Sequence, residues 1–480
     1  MELTIILIST LATAIICLAS RQRLIIEFAS VISAFVTLFE STLVALKVSS
    51  FGTYTPYKFI TIDSLGAIVM LIISLVGSAA VMYSVAYLRE ETKKQIIGFT
   101  RVKQYFVLLN LFLAAMFLAV ASNNPILTWI SIEATTLSTA FLISFYNKPT
   151  SLEAAWKYLV INSVGLLLGF FGTLLYFTSF KLVGEANTIS WNTLLLNAGY
   201  LDPMIAKIAF VFVLIGYGTK IGFAPMHTWL PDAHSKAPAP ISALLSGVLL
   251  NVAFIAVLRF KLVTDAAVGI DFSRNLLIIF GLLSIFVASL IIFTQKNYKR
   301  MLAYSSIENM GIIALGFGFG GLGSVAALLH MIYHSLLKSS LFFSAGNIFL
   351  KYSSTKIDKI KGTMKALPIT AVLFLMGFFA ITGTPPFGVF LTKIYILSAG
   401  MSAHPIVTVI SFVLMSLVFV GFFQKAAAMT FGEKPQGIDS GENNVWLIIP
   451  SMAFITIVVC LSFYIPPFLI NLLNSTASHY

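Results

Sequence analysis

The chain has 480 residues, of which 58% are hydrophobic and 10% charged, and its mean hydropathy is +0.95. A water-soluble protein of this size cannot hide that much apolar surface, because its outside must be largely polar; lipid is the solvent that fits. The net charge of +12 is not a nucleic-acid footprint, since no soluble basic domain exists to carry it, and basic loops that orient a membrane protein account for it.

A bilayer-crossing helix needs about 20 apolar residues, and about fourteen such runs follow one another along the chain. They are 3–19, 24–46, 62–87, 105–121, 126–146, 155–180, 204–224, 238–258, 275–295, 302–319, 323–350, 368–398, 405–430 and 445–470. No long hydrophilic insert divides them, so the expected fold is all-α and polytopic, one integral domain over 1–480. The first run has no basic stretch before it, and Cys17 follows Ile15 and Ile16 without the small residue a lipoprotein signal needs. It reads as a retained span. Cys17 and Cys460 both lie in apolar runs, with no spacing that suggests a zinc site or an iron–sulfur cluster.

The loops orient the chain. With the N-terminus outside, one side collects about twenty basic residues and the other about seven, and the positive-inside rule makes the richer side cytoplasmic. The richer side includes Lys236, Lys299 and Arg300; the poorer has Lys47, Lys58, Lys181, Lys207, Arg259, Lys261 and Arg274. Arg259, at a span end, reads as an interface anchor. Both termini are expected outside, in a prokaryotic inner membrane.

Lys220, Lys338 and Lys393 fall within spans. An ionisable group at bilayer depth costs roughly 2.5–3.5 kcal/mol on insertion scales and usually marks an ion path. Structural ion pairing and snorkelling are the bland alternatives. Glu133 is the sole charge in 126–146, and Lys220 is the natural cation for it. Pro225 is expected to break the Lys220 helix one turn later; half-helices at membrane depth often build ion sites. A second span is broken around Thr382-Gly383-Thr384-Pro385-Pro386, ahead of Lys393. His330, His334 and Lys338 are spaced i, i+4, i+8 and share one helix face. Histidine passes protons near neutrality, so the stripe reads as a lateral relay. Hydrogen-bonded core histidines, or haem ligands, are the other readings. Glu308 either stabilises Lys338 or Lys393, or is a solvated acid near the cytoplasmic surface. The segment 226–238, with His227 and His234, reads as a polar, proline-rich turn shaping the cytoplasmic mouth. Its two histidines lack the tight spacing of a helical zinc pair.

The stretch HTWLPDAHSKAPAPISALLSG resembles a hallmark of the antiporter-like subunits of respiratory complex I, energy-converting hydrogenases and multisubunit sodium/proton antiporters. GYGTK, KRMLAYSS, HMIYHSLLKSSLFFSAGN and the late broken helix extend the likeness over roughly 60–430. The resemblance implies fourteen helices with two inverted five-helix repeats, here 105–258 and 275–430, and a proton path along a central polar axis. In that picture Glu133 modulates Lys220, the histidine stripe with Lys338 is the relay, and Lys393 ends the path. One departure stands out: Asn251 occupies a position where many complex I members have lysine or histidine, so the link from Lys220 to the histidines is expected to run through water. SGVLLN and AYSSIENMG resemble the large membrane subunits of the hydrogenase 4 component F and formate hydrogenlyase type.

The expected function is proton translocation within a redox-driven complex. No cofactor is expected in this chain, where GFGFGGLG sits in an apolar run as helix packing rather than a nucleotide loop. Iron–sulfur clusters and nickel–iron or flavin groups are expected in partner subunits: other membrane subunits and a soluble redox arm. Two alternatives remain. One is sodium/proton antiport in a complex without redox arms, which a path rich in lysine and histidine disfavours. The other is a structurally retained but idle anchor, which Asn251 favours.

Overall fold

The computed structural model describes residues 1–178, 190–442 and 444–480. Lys181 and the last residues of the expected span 155–180 lie outside them. Helices dominate: α1 (Glu2–Ala19), α2 (Arg23–Phe51), α3 (Ser64–Lys93), α4 (Phe99–Ala121), α5 (Pro125–Ile143), α6 (Pro149–Thr178) and α7 (Trp191–Leu196) form the first group. Then come α8 (Pro203–Ile221), α9 (Trp229–Lys236), α10 (Ala239–Leu244), α11 (Leu250–Val268), α12 (Ile270–Ile291), α13 (Tyr298–Phe319) and α14 (Leu322–Tyr352). The chain closes with α15 (Thr363–Ala366), α16 (Pro368–Thr382), α17 (Gly388–Ala403), α18 (Pro405–Thr430), α19 (Ile449–Phe463) and α20 (Pro467–Ala477).

Among the described residues, 12 helical segments are long and apolar enough to cross a membrane, and α16 and α17 are two shorter apolar helices. The protein is a multi-span membrane protein. Several helix starts are written locally. Asn124 before Pro125 caps α5 by accepting from the amides of Ile126 (2.8 Å) and Leu127 (3.2 Å). Asp202 before Pro203 does the same for α8, and Asn297 for α13. In each case a short polar side chain satisfies amides that the first turn leaves unpaired.

Burial sorts the helices into a core and a lipid-facing ring. The segment Ala239–Val268 is buried along its whole apolar window, and α14 and α3 nearly so; in α1 and α18 only a third of the window is buried. Phe35, Phe39, Phe141 and Phe412 are exposed on peripheral helices, where hydrocarbon, not water, is the solvent. Close helix approach relies on absent side chains. A Cβ on Gly316 would lie 2.7 Å from the Gly323 carbonyl, so the glycines of GFGFGGLG serve packing and the α13–α14 turn.

Four features differ from the sequence-based expectation. A small antiparallel hairpin, β1 (Tyr54–Tyr57) with β2 (Ile60–Ile62), precedes α3; burial and the Glu2 carboxylate push its Tyr54 phenol up to about 12. The final apolar run 445–470 is divided: α19 stops at Phe463, and α20 restarts after Pro466 and packs on α2, α3 and α14. Arg259 is no interface anchor. It is buried within α11, and donates to the carbonyls of Val120 (3.0 Å) and Ser122 (3.2 Å) beside Asp63. Lys261 is likewise buried and paired with Asp265, because α11 is wrapped on all sides and carries both cations inward.

Candidate functional site: a buried polar axis

α8 ends in the middle of the fold. Gly222, at φ +85°, terminates it, and the Gly218 carbonyl takes the amides of Gly222 and Phe223. The breaker is therefore Gly222 rather than Pro225: a left-handed residue closes the last turn before proline is reached. The chain resumes as α9, and the indole of Trp229 donates to the Thr219 carbonyl at 2.8 Å, so the second half caps the first. His227 and His234 are correspondingly buried, not at a solvated mouth. The hallmark segment is an inner half-helix packed on α6 and α13; His227, His234 and Ser235 face protein, while Thr228 is exposed and Asp232 and Lys236 are half-buried.

Lys220, in the last turn of α8, is fully buried. Its ammonium donates to Thr136 (2.8 Å) and to the Tyr158 hydroxyl (2.7 Å). Glu133 does not contact it. That carboxylate accepts from Ser163 at 2.8 Å and from Thr136 at 3.3 Å. The expected ion pair is thus spaced by the Thr136 hydroxyl, because Glu133 points to the partly exposed side of α5 while Thr136 faces the interior. Thr136, Tyr158 and Ser163 went unnoticed in the sequence; Thr136, at i+3 from Glu133, carried the signal.

The second break follows the same plan with different wiring. α16 ends at Gly383, φ +87°, and α17 begins at Gly388. Lys393 reaches back to cap the orphan Thr382 carbonyl at 3.1 Å and pairs directly with Glu308 at 3.2 Å. Glu308 is 1% exposed, so of its two readings the solvated surface acid is excluded, and Lys393 rather than Lys338 is its ion-pair partner.

α14 runs between the two breaks. His330, His334 and Lys338 are all fully buried on it. His330 bonds Thr392 (2.8 Å) and Asn309 (3.0 Å), which attaches it to the Lys393–Glu308 end. Lys338 donates to the Leu302 carbonyl at 2.6 Å. Neither ring nitrogen of His334 has a hydrogen-bond partner, and the same holds for His234. Buried polar atoms without partners are scarce, and water is the usual remedy. Asn251 donates to Ser335 at 2.7 Å, beside His334, and its own carbonyl oxygen is unpartnered. The axis is therefore a file of ionisable side chains separated by hydroxyls, an amide and unsatisfied nitrogens. Protons can step along such a file only with water between the groups.

The family described as NADH:quinone oxidoreductase/Mrp antiporter, transmembrane, matches residues 122–428. The hydrogenase-4 component F homolog of Methylacidiphilum infernorum is 38% identical over 415 residues, covering 86% of this chain and 87% of that protein. In fold, the chain is similar to a subunit of an archaeal membrane-bound sulfane sulfur reductase (TM-score 0.86, 22% identity, 100% of this chain and 96% of that one). It is also similar to one in the Mrp complex of Dietzia sp. DQ12-45-1b (TM-score 0.86, 19% identity, 99% and 97%). With a match over most of its length and the buried axis in place, the chain belongs to the NADH:quinone oxidoreductase/Mrp antiporter transmembrane family.

Proposed function

We propose that this protein translocates protons across a prokaryotic inner membrane, as the antiporter-like subunit of a redox-driven complex of hydrogenase or complex I type. One observation carries the reading: buried lysines, histidines and acids extend from one broken helix to the other through the largely buried central helix α14. Each such group is costly at membrane depth, and together they exceed what helix packing requires. The path is richer in lysine and histidine than in the carboxylates that sodium would need.

On this reading the side rich in lysine and arginine is cytoplasmic and both termini face out. Residues 105–258 and 275–430 form two inverted repeats within fourteen spans; the parallel breaks at Gly222 and Gly383 support that arrangement. Partners are other membrane subunits and a soluble redox arm, which holds iron–sulfur clusters with nickel–iron or flavin groups. The relatedness to a hydrogenase-4 component F homolog supports a hydrogenase-type arm. An external driver is required, since moving one charge against 100 mV takes about 2.3 kcal/mol.

The test is Lys220→Ala in the intact complex, purified from its membrane and reconstituted in vesicles. Proton pumping, followed by a pH-sensitive dye, is lost while the complex still assembles. Pumping at the wild-type rate would overturn the reading.

A further inference from the structure

A second buried cluster lies off the main axis, at the end of the bundle where α3 finishes and α13 begins. Glu91, in the last turn of α3, is fully buried. Its Oε1 accepts from the Tyr146 hydroxyl, while its Oε2 is buried with no partner. Lys299, in the first turn of α13, is also buried rather than in a solvated loop. Its ammonium donates to the Ala237 carbonyl at 3.1 Å and lies 5.4 Å from the centre of the Phe349 ring. The Tyr87 hydroxyl adjoins the Tyr146 hydroxyl at 3.2 Å, and against the cost of burying the Glu91 carboxylate act the charges of Lys299 and Lys94.

A cavity of about 190 Å³ adjoins this cluster, lined by Lys94, Ile96, Tyr146, Lys148 and Phe349 among others. It can hold several waters. Lys94, Ile96 and Lys148 form an exposed rim. Tyr146 and Phe349 are the inner wall, and they are the side chains that touch Glu91 and Lys299.

The cluster also leads inward. Ala237, which holds Lys299, is three residues past His234. Leu302, whose carbonyl holds Lys338, is three residues past Lys299. Each step is about 4.5 Å along a helix axis. The His234 ring stacks on Phe342 at 4.8 Å between centroids, and Phe342 is one turn beyond Lys338 on α14. His234 accordingly feels both Lys299 and Lys338, with both ring nitrogens unpartnered.

We propose that Tyr146, Glu91 and Lys299 form a loading branch that carries protons from the cavity, on the side rich in lysine and arginine, through His234 to Lys338. This rests on the proton-translocation reading above. A proton from cavity water adds to the free Oε2 of the Glu91 carboxylate, which becomes a carboxylic acid. The Lys299 ammonium passes a proton to the His234 imidazole, which hands it to Lys338 once Lys338 has given up its own, and the Glu91 acid restores the proton on Lys299. Water bridges the steps, one proton moves and no electrons do. Tyr146 is a positioning residue: its hydroxyl occupies Oε1 and leaves Oε2 as the receiving atom.

The experiment measures proton pumping by the intact complex in vesicles that expose this face, as a function of external proton concentration. Glu91→Gln and Lys299→Met lower the pumping rate at least tenfold, and Glu91→Asp restores much of it. Tyr146→Phe, which leaves the ring in place, lowers the rate a few-fold and keeps the proposal testable if Glu91→Gln does not assemble. Raising the external proton concentration partly rescues Tyr146→Phe and Glu91→Asp but not Lys338→Ala, because only loading is slowed in the former pair; a purely structural role for the cluster moves no such dependence. If Glu91→Gln and Tyr146→Phe pump within twofold of wild type while Lys338→Ala does not pump, the branch is wrong and the broader reading stands. If Lys338→Ala itself still pumps, the broader reading falls and the branch with it.

Discussion

The two broken helices use the same backbone device and opposite electrostatics. In both, a glycine at positive φ ends one half-helix and leaves a lysine beside the break. At the first, Lys220 is held by two neutral hydroxyls, with the Glu133 carboxylate one hydroxyl further away. At the second, Lys393 is locked to Glu308 and to a backbone oxygen. A lysine held by hydroxyls can lose its proton without stranding a buried carboxylate; a lysine in a direct pair cannot. On the proton-translocation proposal, the first site is suited to switching and the second to holding charge.

The largest effect should come from splitting the direct pair. Glu308→Ala strands the Lys393 ammonium and should cost about 3–5 kcal/mol, the usual penalty for half of a buried pair. Thermal unfolding of the detergent-solubilised complex checks it. Glu308→Gln combined with Lys393→Met should cost clearly less than the sum of the single changes. Lys220→Met leaves only neutral hydroxyls behind, so its stability cost should be about 1–3 kcal/mol, smaller than for Lys393→Met. Equal costs would erase the distinction between the two sites.

Thr136→Val keeps the shape but removes the hydroxyl between Lys220 and Glu133. Both charge-assisted hydrogen bonds through that hydroxyl are lost, each about 1.5 kcal/mol or more, which should slow pumping at least tenfold with little change in assembly. No change in rate would mean that the Glu133 charge reaches Lys220 by another route. A further contrast is expected at the breaks themselves. Gly222→Ala places a Cβ 2.6 Å from a methyl of packed Leu230, whereas Gly383→Ala meets only the flexible stem of Lys393 at 2.9 Å. Both sit at positive φ, where alanine costs about 1–2 kcal/mol. Gly222→Ala should therefore destabilise more, as read from the same unfolding measurement.

Composition alone was enough to place this chain in lipid, and hydropathy located most helices, because a bilayer demands long apolar runs whatever the tertiary arrangement. Charges inside those runs were also legible: Glu133, Lys220, His330, His334, Lys338 and Lys393 stand out against an apolar background. Residues at the ends of runs were not. Lys299, Arg259 and Glu91 sit where a solvated loop or a snorkelling side chain is the default, and only the packing of α3, α11 and α13 against neighbours shows them to be buried. The hallmark segment was misplaced for a related reason. Its polar letters describe a surface turn as readily as the inside of a bundle, and the difference lies in partners on other helices, such as Phe342, about a hundred residues on, against His234. Pairing had the same limit. One-dimensional spacing reports which residues share a helix face, but whether Lys220 meets a carboxylate or a hydroxyl depends on how α5, α6 and α8 turn against each other, which only the assembled fold decides.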